Sequence, residues 1–98
     1  MDVIYDFISF DWDEEKNQIN IKKHGVSFQE SKSVFADDNM LYKRDEKHSG
    51  DEERFIAIGM SRQLRLLLVC HCIRDGNVFR LISARMANSD EVQQYERW

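Results

Sequence analysis

The spacing of apolar residues changes at Asp37-Asp38-Asn39, between a helical segment and a run of strands, and this change restricts the fold more than any other feature. Before it, apolar residues recur every three or four positions, which is typical of one face of a helix. After it, four segments alternate or are continuously apolar over the length of a strand. Helices followed by a run of strands predict an α+β fold with an antiparallel sheet.

Capping residues set the boundaries of the N-terminal elements. The predicted elements are a strand at Phe7–Trp12, a helix from Asp13 to Lys23 or His24, and a second helix from Phe28 to about Ala36. Asp13 is a favourable N-cap, and Gly25 supplies the left-handed residue that ends the first helix. Ser27-Phe28-Gln29-Glu30 has the spacing of a capping box, so a second helix should follow at once.

The remaining elements are four strands and a final helix. We predict strands at Met40–Arg44, Arg54–Met60, Leu64–Arg74 and Asn77–Ala84, and a helix that opens at Asn88 or Ser89. Asp75-Gly76-Asn77 is typical of a tight hairpin turn. Leu66–Val69 is apolar on both faces, so its strand should be central, between the helical hairpin and part of the last helix. The predicted order, β-α-α-β-β-β-β-α, forms one domain over residues 1–98.

The composition predicts a globular cytoplasmic protein. With 98 residues, 42% of them hydrophobic, the chain can bury one modest core. Its longest apolar run, Leu66–Ile73, is far shorter than the roughly 20 residues of a membrane-spanning helix, and no signal peptide is evident. Cys70 and Cys72 should share one face of a strand as reduced thiols, with His71 on the other face. We therefore expect neither a disulfide nor a metal site.

Charge is distributed unevenly along the chain. The net charge of −4 argues mildly against nucleic-acid binding. From Arg62 to Trp98, however, six arginines and no lysine accompany four acidic residues. Arginine holds phosphate with a planar fork of donors. A local basic patch that binds RNA and an ordinary mixed-charge surface are both consistent with this pattern.

A series of short motifs runs in order along nearly the whole chain. They are Phe10-x-Trp12-Asp13-x-x-Lys16, Asn20-x-x-Lys23-His24-Gly25-Val26-x-Phe28, Val34-Phe35-x-Asp37, Asp45-x-x-His48-Ser49, Glu53-Arg54, Gly59, Arg80-x-Ile82-Ser83-Ala84-Arg85-x-Ala87 and Tyr95. Single pieces are weak signals, but the series together resembles the BrnT family of bacterial toxins. The resemblance implies a RelE-like fold and an endoribonuclease that inhibits translation. It also implies a BrnA-type antitoxin, a heterotetramer with that antitoxin, and DNA binding only through the complex.

The implied chemistry needs no metal and no cofactor. The RNA 2′-hydroxyl is the nucleophile, so the protein must supply a base, an acid and positive charge for the phosphate. Histidine can serve either proton-transfer role near neutral pH, and a carboxylate can act as base. The candidate catalytic residues are His24, His48, Glu53 and Arg85, and the candidate RNA-binding residues are Lys23, Arg54, Arg80 and Ser83.

Several of these residues also have structural explanations. Lys23 and His24 lie at a predicted helix end, where cations are favourable whatever the function. Strand alternation puts Ser83 and Arg85 on one face. There they could hold a phosphate together, or Arg85 could simply emerge into solvent at the end of the strand. The same alternation directs Arg80 to the other face, unless a bulge intervenes.

The remaining candidates are equally open from sequence. Glu53 and Arg54 should point in opposite directions, and either could belong to a cross-strand ion pair. His48 lies in a polar loop, whereas His71 is more consistent with a satisfied core histidine. Trp12 and Tyr95 could stack on bases but more naturally close the core. A non-catalytic module, which binds an antitoxin and forms a DNA-binding complex, is the alternative function that the acidic balance favours.

Overall fold

The computed structural model describes residues 8–48, 50 and 52–97. The elements are β1 (Ser9–Asp11), α1 (Glu14–His24), α2 (Phe28–Lys32), a 3-10 turn (Ser33–Ala36), β2 (Leu41–Arg44), β3 (Phe55–Met60), β4 (Leu66–Arg74), β5 (Val78–Met86) and α3 (Ser89–Arg97). This order confirms the α+β prediction; Phe7, the predicted start of the first strand, lies outside the described residues. Among the helices described, none is long and apolar enough to cross a membrane.

The predicted caps account for where the first two helices begin and end. The Asp13 side chain accepts hydrogen bonds from the backbone N–H groups of Glu15 and Lys16, and Gly25 ends α1 with φ of 69°. Ser27 Oγ accepts from the backbone N–H of Glu30 at 3.0 Å. Only this half of the predicted capping box is formed, because the Glu30 carboxylate turns away from the helix start to bind Ser61 and Arg65.

The five strands form one sheet in the order β1-β5-β4-β3-β2, which confirms that β4 is central. Three of the four strand pairs are antiparallel, but β1 runs parallel to β5, with Ser9 opposite Val78. The sheet is therefore mixed at one edge and not wholly antiparallel as the sequence predicted. The hairpin between β4 and β5 turns through Asp75 and Gly76, both with positive φ, as expected for Asp-Gly.

The core lies between the helices and one face of the sheet, here called the helix face. Its fully buried side chains are Val26, Phe28, Val34, Phe35, Ala57, Leu67, Val69, Leu81 and Ala84. Trp12 packs edge-on against Phe28, which confirms that it closes the core. Gly59 allows β3 to approach the 3-10 turn, because a Cβ there would lie 2.8 Å from Val34 Cγ1.

Two polar side chains fix the helices to the rest of the fold. The buried Asn20 side chain of α1 donates to the carbonyls of Val26 and Ala84, at 2.8 and 2.9 Å. At the other end of the chain, Tyr95 of α3 donates to Asp37 Oδ2 at 2.6 Å. Since no described residue of α3 is buried, this helix depends on such contacts more than on apolar packing.

His71 is a core histidine, as the sequence predicted. It is fully buried on the helix face and stacks on Phe79 with ring centroids 4.3 Å apart. Its Nδ1 lies 3.3 Å from the carbonyl oxygen of Cys72, and its Nε2 lies 2.9 Å from the hydroxyl of Tyr42. A carbonyl only accepts, so Nδ1 carries the proton and Nε2 accepts from Tyr42. Both ring nitrogens are therefore satisfied in the neutral form.

Burial of His71 should make the fold sensitive to acid. Burial lowers the pKa of His71 from 6.5 to about 4. At a pH between these two pKa values, the imidazole binds a proton in the unfolded chain but not in the folded one. The free energy of unfolding should consequently fall by about 2 kcal/mol between pH 7 and pH 5 through this residue. Urea denaturation of the wild type and of His71→Gln, which keeps an acceptor but does not titrate, measures this term. Equal losses in the two proteins would contradict it.

Candidate active site

A β-bulge brings the functional candidates of β5 to one face of the sheet. Leu68 pairs with Arg85, Cys70 with Ser83 and Cys72 with Arg80, and the register shifts between Cys70 and His71. Ile82 is the extra residue, so Arg80 lies on the same face as Arg85. Simple alternation, which separated these two arginines, is wrong here because of the bulge. This side of the sheet, opposite the helix face, is here called the open face.

A cleft of about 510 Å³ lies on the open face, between the loop after β2 and helix α3. Its floor is formed by alternate side chains of two neighbouring strands, Ile56 and Ile58 of β3 and Leu68 and Cys70 of β4. Its rim carries Lys43, Lys47, His48, Arg54, Ser83, Arg85, Glu91 and Gln94. An apolar floor with a largely cationic rim suits an anionic ligand whose charges stay at the rim.

His48 lies at this rim and is held by a buried carboxylate. Its Nδ1 is 2.9 Å from Asp45 Oδ2. The Asp45 side chain is 10% exposed and that of His48 is 61% exposed. Because the carboxylate accepts, Nδ1 carries a proton and Nε2 is left to face the solvent. This pairing orients an imidazole for proton transfer, as carboxylates do in other acid–base sites.

Arg85 is held by the C-terminal helix. Its guanidinium forms two parallel hydrogen bonds to Glu91, of 2.8 and 2.9 Å, and a third to the carbonyl of Met86. The bonds to Glu91 raise the pKa of Arg85, and those to Arg85 lower the pKa of Glu91. Arg85 is thus a fixed cation next to the exposed Ser83, and its position depends on α3.

Arg54 and Glu53 point in opposite directions, as predicted. Arg54 lines the cleft near Cys70. Burial of the Cys70 thiol raises its pKa, and the positive charge of Arg54 partly offsets this rise. Glu53 instead forms a 2.8 Å ion pair with Arg44 of the neighbouring strand. The cross-strand pair that the sequence left open is therefore made by Glu53.

Lys23 and His24 lie apart from the cleft. They form the exposed C-terminal turn of α1, the helix whose Asn20 side chain is bonded to the helix-face residue Ala84. The structure therefore brings together His48, Arg54, Ser83 and Arg85, places Arg80 on the same face, and leaves Lys23, His24 and Glu53 elsewhere.

Comparison with known proteins agrees with this arrangement of elements. The family profile described as "Ribonuclease toxin, BrnT, of type II toxin-antitoxin system" matches residues 12–91. The chain belongs to the BrnT family. The crystal structure of the Brucella abortus ribonuclease toxin BrnT is similar, with a TM-score of 0.62 and 27% sequence identity over 84% of this chain and 99% of that one. No curated protein matches the sequence significantly.

Membership in the BrnT family confirms the function that the motifs implied. The chain is a ribonuclease toxin of a type II toxin–antitoxin system, and such a system pairs it with an antitoxin. The matched region contains the whole cleft except Gln94, the last of its rim residues. The nuclease prediction is therefore preferred to the non-catalytic interaction module.

Three features of the BrnT cleft were not predicted. Lys43 and Lys47 supply positive charge from β2 and its following loop, whereas the cations predicted from the sequence were Lys23, Arg54, Arg80 and Arg85. The third is the pairing of Asp45 with His48. The signal for it was the i, i+3 spacing within a polar loop, where a carboxylate can reach an imidazole across a turn.

Proposed function

We propose that the cleft cleaves RNA without a metal ion, by attack of a 2′-hydroxyl on the adjacent phosphate. A bond forms between the 2′-oxygen and phosphorus, and the bond from phosphorus to the 5′-oxygen breaks. The products are a 2′,3′-cyclic phosphate and a free 5′-hydroxyl. The observation that carries this proposal is His48, oriented by a buried carboxylate at a rim that also carries Arg54 and Arg85.

His48 supplies the proton transfer in this scheme. Its Nε2 either removes the proton from the 2′-hydroxyl or donates one to the departing 5′-oxygen, and Asp45 keeps the ring in the required tautomer. Asp45 touches no substrate and is a positioning residue. Arg85 and Arg54 stabilise the extra negative charge on the phosphate in the transition state, and Ser83 donates a hydrogen bond beside them.

The other residues predicted from the sequence lie outside the large cleft. Arg80 binds RNA on the same open face. Roles for Lys23, His24 and Glu53 stay predictions from sequence, since RNA in the cleft would have to pass round the sheet to reach them. At the level of the cell, we propose that cleavage takes place in the cytoplasm and inhibits translation, that a BrnA-type antitoxin forms a heterotetramer with this chain, and that only the complex binds DNA.

The proposal is tested by RNA cleavage in excess EDTA with the purified protein. We expect full activity, a cyclic phosphate on the upstream product, and a loss of about tenfold or more in Arg54→Gln. Arg62→Gln, which removes the same charge from an exposed position in the turn after β3, is the matched control and should cleave normally. Activity that EDTA abolishes and magnesium restores would refute the metal-free mechanism.

A further inference from the structure

A second, smaller cleft opens on the same face, beside the β5 bulge. Its volume is about 110 Å³, and its charged lining residues are Asp13, Lys16, Glu52, Arg54, Arg74 and Arg80. It exists because β1 ends at Asp11, opposite Arg80, so that the chain leaves the sheet edge where β5 bulges. Lys16, in the first turns of α1, borders the cleft at this uncovered edge.

The cations of this cleft are only partly neutralised. Arg80 pairs with Asp11 at 2.5 Å, and Arg74 pairs with Glu52 at 3.2 Å. The ammonium group of Lys16, by contrast, has no acceptor among residues 8–48, 50 and 52–97. Both ion pairs are open to solvent, with side chains 28–52% exposed, and pairs in contact with water are weak enough for a phosphate to compete for the arginine.

The size and lining of the cleft indicate which part of a nucleic acid it suits. Its volume is that of about four water molecules, enough for a phosphate group but not for a nucleoside. Among the residues that the structure describes, none that lines this cleft has an aromatic side chain on which a base could stack. Contacts of this type hold the backbone and carry no sequence information.

The two clefts are spaced for one strand of RNA. Arg85 lies opposite Leu68 and Arg80 opposite Cys72, four residues further along β4. At about 3.3 Å per residue, the two arginines are about 13 Å apart along the sheet, which is more than one nucleotide step. Arg54 borders both clefts and connects them.

We propose that the small cleft is a second phosphate subsite, in which Lys16 and Arg80 hold a backbone phosphate of the RNA beyond the one that is cleaved. This inference rests on the proposed function, since it takes the large cleft as the site of cleavage. The subsite strengthens binding of RNA strands long enough to reach it, by the same factor for every sequence. It does not change the rate of the chemical step.

Binding to an uncleavable strand tests the subsite separately from catalysis. The probe is a fluorescent 2′-O-methyl RNA hexanucleotide, prepared in two unrelated sequences and titrated at several salt concentrations. Lys16→Gln and Arg80→Gln should each weaken binding several-fold for both sequences, and each should reduce the salt slope of the affinity by about 0.7. Asp11→Asn, which removes the competitor of Arg80, should strengthen binding. Arg62→Gln is the control for loss of charge.

Cleavage of substrates of two lengths locates the effect. Lys16→Gln should raise KM for a cleavable hexanucleotide without changing kcat, and should leave cleavage of a dinucleotide, which lacks the outer phosphate, unchanged. The subsite is refuted if Lys16→Gln and Arg80→Gln both bind the probe as tightly as Arg62→Gln, or if the wild type does not bind the probe. It is also refuted if Lys16→Gln reduces cleavage of the dinucleotide as much as cleavage of the hexanucleotide. A normal binding result without any wild-type cleavage would refute the proposed function alone.

Discussion

Replacing His48 with alanine should reduce the rate of RNA cleavage by about a hundredfold or more, because proton transfer by a positioned side chain contributes 10²–10⁴ to such reactions. The loss should appear in kcat, measured with a defined oligonucleotide under saturating conditions. Folding should be little affected, because the His48 side chain is 61% exposed.

Two variants make this result specific. His24→Ala removes the exposed histidine at the end of α1, and we expect it to cleave RNA nearly as fast as the wild type. Asp45→Asn keeps the shape of the positioning residue but not its charge, so it should give an intermediate kcat and a shifted pH profile. Loss of activity in His24→Ala with normal activity in His48→Ala would place catalysis outside the cleft.

Replacing Arg65 with alanine should lower the free energy of unfolding by about 1–3 kcal/mol, because the buried carboxylate of Glu30 loses its charged hydrogen-bond donor. Arg65 bonds both carboxylate oxygens of Glu30 and also the carbonyl of Gly25. The Glu30 side chain is 1% exposed, and Ser61 is its other partner at 2.7 Å. The network joins α2 to the β3–β4 turn and the end of α1.

Urea denaturation of Arg65→Ala and Arg62→Ala measures this effect, with Arg62 as the neighbouring exposed arginine. The double variant Glu30→Leu/Arg65→Met should recover most of the stability, because an apolar pair of similar volume needs no charge compensation. If Arg65→Ala were no less stable than Arg62→Ala, the prediction would be wrong, because the Glu30 carboxylate would then not need Arg65 as its partner. Hydrogen bonding from Arg65 lowers the pKa of Glu30 below its ordinary value. The stability that this ion pair adds is therefore fully present at any pH above the ordinary pKa of Glu30, and it is lost as the pH falls through the lowered pKa.

Local signals were sufficient for most element boundaries. Asp13, Gly25 and the Asp75-Gly76 turn behave as the sequence predicts, because caps and tight turns are satisfied by atoms only a few residues away. Glu30 shows where such reasoning fails. Its spacing from Ser27 suited a capping box, but the distant Arg65 offers the carboxylate a charged partner and displaces the local bond.

The cleft was predictable only in part, for a similar reason. Ser83 and Arg85 follow from alternation, but the bulge that adds Arg80 to their face depends on how β5 pairs with β4, which no local pattern encodes. The polar loop offered His48 as a candidate without indicating that Asp45 would be buried beneath it. Pairing across strands and burial of a loop residue are properties of the assembled sheet.

The parallel pairing of β1 with β5 also determines when this toxin can fold. Ser9 must find Val78, so a loop of most of the chain has to close before the sheet is complete, at a cost in entropy that slows folding. The core likewise needs Leu81 and Ala84 from β5. A chain synthesised only as far as β4 therefore has neither a finished core nor Arg85, so this fold cannot be completed before β5 has left the ribosome.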